Sequence, residues 1–256
     1  MSAPYMNAPM PHVAHPNKKS NVLMIVLIIL GVLFLVAVCV IGLLIALLLP
    51  AVQQARLAAR HVHTENTARQ IGLALLNYDM MRGELPAAAT TDGNSQPLFS
   101  WRVEVLPYLE QLPLYDRWSK DQSWNSSANA PISNMHVAVF STPLCPDSDG
   151  TNRTAFVAVV GPDTVINTNG PRKMRSIQDG VSNTAMLLEL RASDIAWAEP
   201  RDVSVEEAVR LIKNCPDSRG LTVVFADGSV SKIEPSVPED VIVKMFNCSD
   251  GSASVF

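Results

Sequence analysis

An α+β fold is predicted by three features of the sequence: an uncharged apolar run at residues 21–49, a helix-forming stretch with an apolar stripe at 51–82, and short strand-like runs separated by turns beyond residue 137. Together they describe a long N-terminal transmembrane helix that continues into an outer domain with an antiparallel sheet. The expected organisation is a disordered tail at 1–20, a transmembrane helix at 21–49, the extramembrane half of the same helix at 50–82, and an α+β outer domain at 83–256 packed on it.

Crossing about 30 Å of hydrocarbon takes roughly 20 apolar residues. Residues 21–49 (NVLMIVLIILGVLFLVAVCVIGLLIALLL) exceed that without a single charge. Lipid offers the backbone no hydrogen-bond partner, so the run is expected to be helical throughout. A signal peptide has an apolar core of only about 7–15 residues, which counts against that reading. The preceding tail is rich in Pro, Ala, Asn and Met and cannot bury enough surface to order itself, which leaves His12 and His15 solvated. Lys18 and Lys19 flank the run on one side, and Arg56, Arg60 and Arg69 follow it on the other, so charge counting leaves its orientation open.

Beyond Pro50, which removes a backbone bond and is expected to bend the helix, two stripes recur at helical spacing. Ala51, Ala55, Ala58 and Val62 form one, and Ala68, Ile71, Leu75 and Tyr78 the other. Gly83 and Pro86 mark the stop. Residues 83–100 read as loop. Residues 100–119 read as two short helical pieces interrupted by Pro107 and Pro113, with Trp101, Leu106, Leu109, Tyr115 and Trp118 as packing groups, and 119–135 as irregular. Strands are expected at 137–140, 155–160, 185–190, 221–226 and 229–233. The last two flank Asp227-Gly228, a signal for a type I′ hairpin that would set Val223 and Phe225 on one face. Ser204 and Glu207 form a capping box at the head of a helix over 205–212, and a last short helix is expected at 239–246.

The net charge is −4, and residues 1–50 contribute two lysines and no acid, so the remainder carries −6. A mildly acidic domain argues against a nucleic-acid partner, because phosphate binding needs clustered Lys and Arg. Cys39 lies inside the apolar run, while Cys145, Cys215 and Cys248 are an odd number that allows at most one internal disulfide and shows no metal-ligand spacing.

The segments LLLPAVQQARLAAR, NTARQIGLALLNYD, SWRVEVLPYLEQLPLYD, LCPDSDG, SIQDGVSNTAMLLEL and FADGSV, in that order, resemble the domain of unknown function 1559 family, bacterial pilin-like membrane proteins of prepilin or type II secretion pseudopilin type. The resemblance implies a lollipop: a long helix half in the membrane, a sheet-bearing head outside the cytoplasm, and a cytoplasmic N-terminus. It marks Trp101, Asp179, Gly180, Asn183, Glu189, Asp217, Asp227 and Gly228 as family-motif positions. Two departures stand out. Neither Gly31 nor Gly42 is followed by the intramembrane Glu that prepilins use to pair with a neighbouring subunit, which points to an uncleaved anchor. The family's signature histidine, ten residues before Asp227, is here Asp217.

No nucleophile elbow, zinc-protease, phosphate-loop or dinucleotide motif is present, so no catalytic residue and no cofactor are expected. Asp147 and Asp149, in D-S-D-G, are candidates for calcium, but calcium takes six to eight oxygens and turn chemistry explains the same residues. Asp179-Gly180 and Asp227-Gly228 read as turns. Glu189 interrupts an apolar strand and is expected either on a solvated face or paired under the long helix. His61 and His63, two residues apart, do not share a helix face and read as solvated. The function expected is a membrane-anchored, non-enzymatic pilin- or pseudopilin-like role at the bacterial envelope, whose partners are the membrane and other pilin-like subunits or envelope proteins. The alternative is an anchored receptor or sensor whose outer domain binds a small ligand or calcium.

Overall fold

The computed structural model describes residues 18–249, with side chains from residue 22 onward. The expectations for the tail, His12 and His15 included, fall on residues outside this range apart from Lys18–Ser20, where helix α1 (Lys18–Arg82) has already begun. The chain divides into two compact units, 1–56 and 57–256. In the first, every apolar residue from Val22 to Leu49 is exposed. Among the described residues α1 is the helix long and apolar enough to cross a membrane.

The second unit, the head, is α+β, as the sequence predicts. It begins with the rest of α1 and continues through the hairpin β1 (Ala89–Thr91) and β2 (Pro97–Ser100) to the short helices α2 (Trp101–Glu104), α3 (Leu112–Asp116) and α4 (Ala130–Ser133). The sheet strands follow: β3 (Phe156–Gly161), β4 (Ile166–Asn167), β5 (Ala185–Glu189), β6 (Val203–Ser204), β7 (Leu221–Phe225) and β8 (Val230–Ile233). Helix α5 (Val205–Lys213) lies between β6 and β7, and α6 (Glu239–Phe246) ends the described fold. The sheet order is β4-β3-β5-β7-β8, with β6 also beside β3. The β3–β5, β5–β7 and β7–β8 pairs are antiparallel, as expected, and the two-residue strands β4 and β6 pair with β3 in parallel.

Both faces of the central strands are covered, so β5 and β7 are buried along their whole length. On one face Ala68, Ile71 and Leu75 of α1 pack with Phe156, Leu187 and Val224 and with an aromatic group in which Phe99, Trp118, Trp197 and Phe140 contact in sequence at centroid distances of 5.7–6.0 Å. On the other, Val157, Leu188, Val223 and Phe225 meet α5 and α6 through Ala208, Ile212, Ile242 and Phe246. Val223 and Phe225 share that face, as strand alternation requires. The second α1 stripe is thus the one that packs. Ala51, Ala55, Ala58 and Val62 are exposed, because the head's cover begins only at His61 and small alanines bury little surface to draw it further.

Close approach of α1 to the β7–β8 turn depends on two glycines. A Cβ on Gly72 would stand 2.8 Å from the Val224 side chain and 3.3 Å from the Gly228 Cα, and one on Gly228 would stand 2.8 Å from Leu76. Gly228 has φ +80°, whereas Asp227 is not in the positive-φ region, so the hairpin is not type I′. The Gly228 N–H donates to Phe225 O (2.9 Å) and the Phe225 N–H to Ser229 O (2.9 Å), which is a type I turn closed by a left-handed glycine. Burial of Ala226 and the donation of its N–H to Thr184 O (2.9 Å) favour the longer loop.

Residues 137–140 form a 3₁₀ turn over Ala138–Phe140 instead of a strand, anchored by buried Val137 and Phe140. The loop expected at 83–100 holds the β1–β2 hairpin, whose turn is tied by Asp92 Oδ1 accepting the Asn94 and Gln96 N–H groups at 2.8 Å. Pro107 and Pro113 lie in the first turns of helical pieces, where a missing N–H costs nothing, so they start these pieces. Ser204 caps α5 as expected, accepting the Glu207 N–H at 3.2 Å.

Candidate functional site

The family-motif positions fall into several local networks. Trp101 is buried and donates its Nε1–H to Asp202 (3.3 Å). Gly180, at φ +92°, makes the turn before β5, where Asn183 donates to Asp179 O (3.0 Å) and Thr184 Oγ1 to Gly180 O (3.1 Å). Cys248 O accepts the Gln178 and Asp179 N–H groups, so this turn also binds the end of the fold. Asp227 accepts the Ser229 N–H at 2.8 Å within its own turn. Asp147 Oδ2 accepts the Ser193 N–H (3.2 Å), and the Asp147 carbonyl accepts the Thr151 hydroxyl (2.6 Å). Asp149 is exposed beside it, and among the described residues no group of three or more His, Cys, Asp and Glu side chains is gathered to hold a metal ion. None of the cysteines there is disulfide-bonded.

Glu189 and Asp217 are different, because the fold brings them together. Strand alternation turns Glu189 to the α1 face, so it is not solvated, and it is wholly buried there. Arg191 bridges the two acids, with Nη1 at 3.4 Å from Glu189 Oε1 and Nη2 at 3.6 Å from Asp217 Oδ2. Arg191 Nη2 also donates to Gly220 O (2.9 Å), and the Thr222 N–H donates to Glu189 Oε2 (3.1 Å). Asp217 accepts the Arg219 N–H (3.1 Å) and its guanidinium (3.2 Å). On the neighbouring turn of α1, Glu65 pairs with Lys232 of β8 at 2.7 Å. Three carboxylates thus face three cations between α1, β5, the 214–220 loop and β8.

His61 completes the cluster, contrary to the expectation that it is solvated: it is 3 % exposed. It lies three and seven residues before Thr64 and Ala68, in line with the packing stripe extended back by two turns, and that spacing was the available signal. His63 is exposed, as expected. His61 Nε2 lies 3.1 Å from Asp217 Oδ2, but both ring nitrogens are buried without an aligned hydrogen-bond partner. Burial, then Lys232 and Arg219, push its pKa below the ordinary 6.5 against the pull of Asp217, so at neutral pH the ring is uncharged and the approach is not an ion pair. Burial raises the Glu189 carboxyl, with Arg191 opposing. Burial also works to raise Asp217, but the Arg219 N–H and guanidinium outweigh it and hold the carboxyl low.

A histidine with a depressed folded pKa contributes stability above its unfolded value, and that contribution is lost as pH falls below about 6.5, where the unfolded chain takes up a proton the folded chain refuses. The expected slope is at most one proton, about 1.4 kcal/mol per pH unit. Glu189, raised in the fold, acts in the opposite sense as pH falls further. The difference between wild type and His61→Gln in unfolding free energy from pH 7 to 5 therefore isolates the histidine: the variant's profile should be flatter, and parallel profiles would count against a neutral buried imidazole.

Chemically the cluster is suited to holding the helix on the sheet. Among the described residues His61 is hydrogen-bonded to no hydroxyl or thiol. Sequence reasoning marked Glu189 and Asp217 and missed Arg191, Arg219, Lys232 and Glu65, which lie in separate segments that only the fold assembles.

No curated protein matches the chain, and no solved structure matches it. Residues 53–162, which run from within α1 through β3, match the family described as Protein of unknown function (DUF1559), the family that the sequence segments resemble.

Proposed function

We propose that this is a single-pass membrane protein of the bacterial envelope, pilin- or pseudopilin-like, with its N-terminus in the cytoplasm and its head outside, working by structural support or partner binding and not by catalysis. The observation that carries the proposal is α1, one helix of 65 residues whose apolar run at 22–49 is fully exposed while its stretch at 64–75 supplies part of the head's core. Exposed apolar surface of that extent needs a covering, and an uncharged run this long is covered by a bilayer. The ion cluster supports the same reading, since it fastens α1 to the sheet as an anchor must be fastened to what it displays. The membrane and other pilin-like subunits or envelope proteins are the partners, with no bound cofactor.

The test is limited proteolysis of spheroplasts carrying the full chain with an N-terminal epitope. Added protease should degrade the head and leave the N-terminal epitope intact. Loss of the epitope with the head protected would reverse the orientation, and release of the intact chain by alkaline carbonate would remove the anchor from the proposal.

A further inference from the structure

At the C-terminal end of α1 the head carries an open cleft of about 720 Å³, within the size range of small-molecule sites. It is framed by Tyr78 and Arg82 of α1, Thr90 of the β1–β2 hairpin, Glu104 of α2, Tyr115 of α3 and Lys120 just beyond. Glu104 is half-buried, and each of its oxygens accepts a hydroxyl: Oε1 from Thr90 (3.3 Å) and Oε2 from Tyr115 (3.4 Å). Arg82 sits over the Tyr78 ring with its guanidinium carbon 5.9 Å from the centroid, and the Lys120 ammonium lies 4.3 Å from the Tyr115 centroid. Both cations are exposed at the rim, and neither has a carboxylate within ion-pair distance among the described residues. Burial, then Glu104, push the Tyr78 phenol up to about 12, so it remains a proton donor at any physiological pH.

We propose that this cleft binds a carboxylated oligosaccharide. The two rim cations select an anion. They are held in place by the tyrosine rings, so less freedom is lost when they engage it. The recessed Glu104 repels a bare inorganic anion, yet it accepts hydroxyl donors, which a sugar carries around its ring. Amine ligands, which Glu104 alone would favour, meet the two cations first. Threonine and tyrosine hydroxyls that already converge on Glu104 can exchange partners with sugar hydroxyls without leaving a polar group unsatisfied. A neutral sugar satisfies the floor and leaves the rim unused. A sugar acid satisfies both.

The experiment is calorimetric titration of the full chain in nanodiscs with trigalacturonate, set beside maltotriose as the uncharged trisaccharide and sulfate as the bare anion. Saturable binding of trigalacturonate is expected, with maltotriose and sulfate weaker by about tenfold or more. The Arg82→Gln/Lys120→Gln double variant should lower the affinity by about tenfold or more, and Glu104→Gln should lower it with the charge of the rim intact. Both substituted cations are exposed and lose only their contacts with the tyrosine rings, so the unfolding midpoint followed by tryptophan fluorescence should fall by no more than about 5 °C, which separates lost binding from lost folding. No binding of trigalacturonate, equal binding of maltotriose or of sulfate, or wild-type affinity in the double variant would each overturn the proposal. These readouts are independent of membrane orientation.

Discussion

Replacing Asp202 with alanine is expected to destabilise the head by about 3–5 kcal/mol. Arg102 and Asp202 form an ion pair at 2.6 Å with side chains 0 % and 3 % exposed. Oδ1 of Asp202 also accepts the Ala158 N–H (2.8 Å) and the Trp101 indole N–H (3.3 Å). The Arg102 guanidinium donates to Phe156 O (2.9 Å) and to Ser100 Oγ (2.7 Å), so the pair joins β2 and α2 to β3. Burial pushes the arginine pKa down and the aspartate pKa up, and each is opposed chiefly by the other's charge. Removing the acid leaves a guanidinium in the core with one partner fewer. The double substitution Arg102→Met/Asp202→Leu should recover part of that loss, because it removes the unpaired guanidinium while the Ala158 N–H and the Trp101 indole N–H stay without their acceptor. All four tryptophans, Trp101, Trp118, Trp124 and Trp197, lie in the head, so urea unfolding in detergent followed by their fluorescence measures both variants. A loss below about 1 kcal/mol for Asp202→Ala would mean that the guanidinium finds another partner or water.

Gly220→Ala is expected to be as damaging, at about 4 kcal/mol or more, and to lower the unfolding midpoint by roughly 10 °C. Gly220 has φ +76°, and a Cβ there would overlap the Ile233 carbonyl with the Glu234 Cα at 2.8 Å. The residue precedes the Leu221↔Ile233 pair that begins the β7–β8 ladder, and its carbonyl accepts from Arg191. A side chain at this position would therefore disturb both the ladder and the ion cluster. Two other glycines give a scale. Gly83 has φ +80° but open space around its Cβ position, so Gly83→Ala should cost only the conformational strain, about 1 kcal/mol. Gly93, with neither feature, should tolerate alanine with little change. Equal midpoints for the three variants would show that backbone collision at Gly220 does not govern its folding.

Much of the fold was legible because the signals were local. The charge-free run at 21–49, the stripe Ala68, Ile71 and Leu75, the Ser204 cap and the strands around Glu189 and Val223 each depend on residues near one another in the chain. The readings that failed were those a neighbour in space decides. Residues 137–140 have strand-like composition but were drawn into a 3₁₀ turn by the burial of Phe140. Asp227-Gly228 suits a two-residue turn but adopts a longer one where Ala226 bonds to Thr184. The hairpin over 89–100 was missed because its strands are too short to show alternation.

The site divides along the same line. Glu189 was conspicuous as a charge in an apolar strand, and its two alternatives, solvated or paired, could be separated only by knowing that α1 covers that face. His61 read as solvated because it shares no helix face with His63, two residues on; its neighbours in the fold are Asp217, Lys232 and Arg219, between 150 and 180 residues away along the chain. What the sequence alone determined was the order of elements and the faces they must bury, since hydrophobic periodicity and turn chemistry act over a few residues. Only the tertiary structure decided which charges meet, because a carboxylate and a guanidinium in solvated segments look alike until packing removes the water between them.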